Sequence, residues 1–135
     1  MKELVLAEDE LEMICSLFPA QGVVLLRGDL ASGKTTLVQH FLKFKGYEES
    51  VNSPTFSFMQ HYKFKNLEIF HYDLYQIGFE GILQNGLFEN FFEEGLHLVE
   101  WGDDSLEKAL KKQGLKVLNI KISSIDEKRK YVIYE

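Results

Sequence analysis

Eight residues, Gly28-Asp29-Leu30-Ala31-Ser32-Gly33-Lys34-Thr35, have the types and the spacing to hold a polyphosphate. They fit G-x-x-x-x-G-K-[ST], and each fixed position has a physical task. Glycines admit backbone dihedrals that a Cβ would forbid, so successive amide N–H groups can curl around an anion. Lys34 sets an ammonium against the β- and γ-phosphates, and the Thr35 hydroxyl is the hard oxygen donor that Mg²⁺ takes. Thr36 continues into a helix whose positive end meets the same anion. At average residue usage the pattern arises by chance about once in a few hundred chains of this length. Residues 28–36 therefore read as the cradle of a nucleoside triphosphate, ATP as substrate and ADP as product, with Mg²⁺.

Such a loop needs acids at the ends of nearby strands, to hold the cation through its waters or to orient an attacking water. Two stand in suitable places: Asp73, after the strand-like run Leu67–Tyr72, and Glu100, directly after the apolar run Leu96–Val99. Glu100 is the second expected metal ligand beside Thr35. Thr55, behind Ser53-Pro54, sits on a loop from which a hydroxyl can reach the metal or the γ-phosphate. The remaining polar residues carry less. His40, His61, His71 and His97 have no cysteine or carboxylate companions at metal-ligand spacing, and His71-x-Asp73 reads at most as a hydrogen-bonded pair. Trp101 is open between stacking on a base, filling an interface and packing in a core.

The elements that must position these groups follow from periodicity. Val23–Leu26 is a short apolar run, as in a strand buried on both faces. After the loop, Leu37, Val38, Phe41, Leu42 and Phe44 recur at helical spacing to about Lys45, with Gly46 as a stop. A strand near Leu4–Leu6 leads to an expected helix over Glu8–Leu17, ended by Pro19. Phe56–Tyr62 and Leu67–Tyr72 form a hairpin around Lys63–Asn66. Gly78 to Gly86 reads as a loop, and Leu87–Phe92 as a short aromatic segment whose Phe88, Phe91 and Phe92 face the core. A helix over Asp104–Lys112 stops at Gly114, and Lys116–Ile122 and Lys130–Tyr134 close the sheet. The expected fold is α/β, a single P-loop NTPase domain over residues 1–135, its mixed parallel and antiparallel sheet flanked by helices.

Bulk properties agree. The chain of 135 residues is 45% hydrophobic and 27% charged, an ordinary globular composition. No apolar stretch approaches membrane-spanning length, and the first ten residues turn acidic too soon for a secretion signal. The lone Cys15 falls in a helical apolar pattern and reads as a small buried hydrophobe, so the cytoplasm is the expected compartment. A net charge of −6 argues against an autonomous nucleic-acid binder. The basic spots Lys43 with Lys45, Lys63 with Lys65, and Lys128-Arg129-Lys130 read as solvated helix ends and loop tips.

Taken together, four blocks resemble the TsaE (YjeE) family of bacterial ATPases. They are Gly28-Asp29-Leu30 through Gly33-Lys34-Thr35-Thr36, then Ser53-Pro54-Thr55-Phe56, then His71-Tyr72-Asp73-Leu74-Tyr75, then Glu100-Trp101. The resemblance covers roughly 22–104. It implies a small P-loop fold and ATP hydrolysis coupled to TsaD and TsaB, which transfer a threonylcarbamoyl group to the adenosine beside the tRNA anticodon. Contact with tRNA is then indirect, through the complex. It also implies that adenine rests partly on the segment around Leu6–Asp9. Two departures stand out: Ala31 where the family commonly has Gly, and Gln76 where Arg usually follows the His-Tyr-Asp-Leu-Tyr block.

Arginine is scarce. Only Arg27 and Arg129 occur, and neither lies in a segment evidently poised over a γ-phosphate. An arginine finger raises the rate by roughly 10³–10⁵ where one is used, so the expectation is slow hydrolysis alone and faster turnover with partners. The runner-up activity is a small-molecule or nucleoside kinase using the same loop. It is disfavoured because the chain leaves little room for an acceptor lid and has no cluster of lid arginines.

Overall fold

Val23, Val24, Leu25 and Leu26 are all sealed from solvent, because the strand they form, β2 (Gly22–Arg27), lies mid-sheet with both faces covered. An apolar run without alternation is what such a strand requires. The computed structural model describes residues 1–51, 54 and 58–135. Its other strands are β1 (Lys2–Leu6), β3 (Met59–Phe64), β4 (Leu67–Asp73), β5 (Leu96–Glu100), β6 (Val117–Ile125) and β7 (Lys128–Tyr134). They form one sheet in the order β1-β7-β6-β2-β5-β4-β3. Strands β6, β2, β5 and β4 are parallel; β7 and β1 on one edge and β3 on the other are antiparallel to their neighbours. The mixed sheet expected from the sequence is present.

Alternate residues of β2 serve two cores. Val24 and Leu26 pack with Leu37, Phe41 and Leu42 of α2 (Lys34–Phe44) and with Ile14 of the one-turn α1 (Glu12–Cys15). Val23 and Leu25 face the other layer, with Ile82 of α3 (Gly78–Gln84), Phe91, and Leu106 and Leu110 of α4 (Asp104–Lys112). Helices thus cover both faces, and the rigid centre carries the phosphate loop at its C-terminal end. Cys15 is buried, and desolvation, aided by the Glu12 charge, pushes its thiol up to about 12, so it is an inert core residue.

Four elements differ from expectation. The N-terminal helix is broken into a 3₁₀ turn at Glu8–Glu10 and the four residues of α1. Glu10 turns back to accept the Ala7 N–H at 2.7 Å, and docking of Leu11, Ile14 and Cys15 holds the segment in place of helix propagation. The stretch from Gly78 is helical as α3, since full burial of Ile82 outweighs the helix penalty of Gly78 and Gly81. The aromatic segment is a 3₁₀ helix, Phe88–Phe92, that buries Phe91 but leaves Phe92 half exposed. The hairpin between β3 and β4 has a tighter tip than expected: Lys65 and Asn66 both take positive φ, the two-residue turn that matches strand twist. The expected start of β3 at Phe56 lies outside the described residues.

Candidate functional site

Chain topology sets the C-terminal ends of β2, β5 and β4 side by side, with Leu26 opposite Glu100 and Glu100 opposite Asp73. In parallel sheets flanked by helices, ligands bind at this edge. The loop leaving β2 bends at Gly28, where φ is +151° and a Cβ would meet the Ile122 carbonyl at 2.6 Å. It enters α2 through Gly33, with φ of +106°. Both fixed glycines of the motif are therefore required by the backbone. Ala31 also takes a left-handed conformation, φ +60°, which explains why a glycine suits that place.

Lys34 is buried, and its ammonium donates to the Gly28 and Asp29 carbonyls, both at 2.8 Å, and to Ser32 Oγ at 3.3 Å. It also lies 4.0 Å from the centre of the Trp101 ring. Desolvation pulls its pKa below the ordinary lysine value, against the charges of Glu100, Asp29 and Asp73. Trp101 is half-buried against the core shared with α3 and α4 and lies under the Lys34 ammonium, with Tyr75 tilted against it at 4.8 Å.

Thr35 Oγ1 donates to both oxygens of Glu100, at 2.8 and 2.9 Å. Glu100 is itself buried and accepts a third bond, 2.6 Å from Nε2 of the fully enclosed His71. Facing a carboxylate, which only accepts, Nε2 is the donor, while Nδ1 has no partner among the described residues. The partner of His71 is thus Glu100 and not the Asp73 that its spacing suggests. The available signal was its place two residues before Asp73, which puts both on one face of β4. Asp73, half-buried, accepts the Tyr75 N–H at 3.1 Å. Burial, with the Glu100 charge, raises its pKa above the ordinary aspartate value, and the Tyr75 bond works in the other direction.

A cavity of about 540 Å³ joins these groups: it is lined by residues 30–36 with Asp73, Tyr75, Glu100, Trp101 and Arg129. A cavity of about 590 Å³ at the opposite end of the sheet has Glu68, Glu93 and Glu94 in its wall, an unsuitable field for a triphosphate. The hydroxyl of Thr35 and the carboxylate of Glu100 are hard oxygen donors already in mutual contact, a set that fits Mg²⁺ shared with phosphate oxygens. Among the described residues no three of His, Cys, Asp and Glu form a metal cluster.

The family model described as Threonylcarbamoyl adenosine biosynthesis protein TsaE matches residues 6–131. The chain belongs to the TsaE family. A TsaE protein of Rickettsia bellii (strain RML369-C) is 36% identical over 129 residues, 91% of this chain and 87% of that protein. A Rickettsia conorii (strain Malish 7) TsaE is 43% identical over 83 residues, 60% of this chain and 47% of that one. The chain thus spans about half the length of several curated relatives it matches. Among solved structures, Bacillus subtilis YdiB superposes with a TM-score of 0.68 at 28% identity, over 98% of this chain and 84% of that one.

Within this member of the TsaE family the two arginines behave differently. Arg27 is clamped on the sheet by Asn119 at 2.8 Å, Asp104 at 2.9 Å and Glu107 at 2.8 Å, away from the loop. Arg129, read in the sequence as part of a solvated tip, instead lines the phosphate cavity. Lys130 beside it pairs with Glu3 at 3.1 Å. Thr55 lies outside the described residues. No helix among the described residues is long and apolar enough to cross a membrane.

Proposed function

We propose that residues 1–135 form one ATPase domain that hydrolyses ATP with Mg²⁺ in the cytoplasm, slowly alone, to support TsaD and TsaB in making threonylcarbamoyladenosine next to the tRNA anticodon. The observation that carries this reading is the Thr35–Glu100 contact at the mouth of a glycine loop, with Lys34 behind it. Family membership supports the same reading.

In this account the backbone N–H groups of Leu30 to Thr36 donate to the phosphate oxygens, and Gly28, Asp29, Ala31, Ser32 and Gly33 shape the loop that presents them. Lys34, already short of water, neutralises the β/γ charge at little further desolvation. Thr35 and Glu100 would hold Mg²⁺ or its waters, and the ion would supply positive charge against the phosphate oxygens. Asp73 orients the attacking water, and its raised pKa keeps a basic oxygen near the reacting atoms. His71 fixes the Glu100 carboxylate in one orientation through Nε2. Thr55 senses the γ-phosphate, and its loop moves between ATP and ADP states. With Arg27 committed to α4 and Gln76 in place of an arginine, the γ end lacks an arginine of its own, which supports the slow-alone, partner-raised rate.

Titration calorimetry of the folded chain with ADP and ATP, magnesium present, tests the site. Saturable binding that Lys34→Ala abolishes is expected; equal heats for both proteins would remove the reading.

A further inference from the structure

Arg129 is the second residue of β7 and pairs in register with Leu6 of β1 and Ser124 of β6, so its Cα is held from both sides. Its guanidinium packs on Gly33 closely enough that a Cβ there would meet Nη1 and lie 2.7 Å from Cζ. It is half-buried and hydrogen-bonds the Tyr131 hydroxyl, and among the described residues no carboxylate pairs with it, whereas Arg27 has two. A cation placed against a phosphate loop without a counter-anion is a site for an anion.

Sheet order says which part of a nucleotide it meets. Glu100 and Asp73 end β5 and β4, on one side of β2; β7 lies on the other side, beyond β6. A triphosphate along residues 28–36 has its γ end among the acids that handle metal and water. The end facing β7 is therefore the α-phosphate and ribose. Arg129 also lines a separate cavity of about 220 Å³, whose wall holds Glu8, Glu127 and Lys128 as well as Leu6, Leu11 and Tyr131, so the guanidinium stands between the phosphate cavity and a largely polar recess. We propose that Arg129 grips the α-phosphate end of the bound nucleotide and supplies affinity, leaving transition-state charge to other groups. This rests on the ATP reading above and adds a residue and a role to it.

The experiment is calorimetry and steady-state kinetics on the full chain, Arg129→Ala and Arg129→Lys, with magnesium, ADP and ATP. Arg129→Ala should weaken ADP and ATP by the same factor, about tenfold or more, the worth of a charge-assisted bond. KM should rise with Kd while kcat changes far less. Arg129→Lys keeps the charge without the fork and should show a smaller loss, which also serves if the alanine variant folds poorly. Unaltered ADP affinity in both variants overturns the proposal while leaving the ATP site in place. So does a loss confined to ATP, or a hundredfold fall in kcat at constant KM, either of which puts the guanidinium at the γ end. Failure of the unsubstituted chain to bind any nucleotide would remove the ATP reading first, and the proposal with it.

Discussion

At the scale of single residues, the site stores cost in the folded chain. Asp73 ionises less readily folded than unfolded, because of burial and the Glu100 charge. As pH rises through the ordinary aspartate range the unfolded chain releases this proton first, so the group lowers stability at neutral pH and not in acid. Asp73→Asn should therefore melt higher than the parent at about pH 7.5, with the gap closing below about pH 4, while hydrolysis is lost. A parent that melts higher at neutral pH would contradict the assignment. Ala31 holds φ of +60°. Relief of about 1–2 kcal/mol, less glycine's extra entropy of about 0.5–1, predicts that Ala31→Gly stabilises by about 0.5–1 kcal/mol in urea titration. Loop glycines, Lys34 and the strand-end acids were legible in the sequence because their chemistry fixes their spacing. The His71–Glu100 bond was not, since it depends on which strand lies beside β4. Thr55 rests on sequence alone.

At the scale of elements, patterning identified β2, α2, α4 and the two closing strands β6 and β7, which carry apolar periodicity. It failed where burial overrode local preference: α3 is helical despite two glycines because Ile82 is sealed in the core, and α1 is short because docking replaces propagation. The element most dependent on polar bonds is α4. Asp103 caps it, accepting the Leu106 N–H at 2.8 Å, and Arg27 ties Asp104 and Glu107 to the end of β2. Asn119 of β6 joins the same network by donating to Glu107 at 2.8 Å. Arg27→Ala leaves Glu107 without its β2 partner and should cost about 2 kcal/mol in chemical denaturation, with ADP affinity retained. A variant as stable as the parent would show the network to be incidental.

At the scale of the whole molecule, one edge of a seven-stranded sheet gathers a phosphate loop, a metal-competent hydroxyl and carboxylate, and a second acid. Arg129 reaches this edge only because β7 returns beside β1, a consequence of strand order that no local pattern announced. In the proposed site the γ end has Lys34 and Mg²⁺ but no arginine, and this is the physical reason to expect a partner to complete it. Phosphate release from Mg²⁺-ATP, followed for the chain and for Glu100→Ala with and without TsaD and TsaB, tests that account most directly. Slow release, raised by the partners and reduced at least tenfold by Glu100→Ala whether or not they are present, is the predicted result. Turnover of several per second from the chain alone, indifferent to the partners and to Glu100, would contradict it.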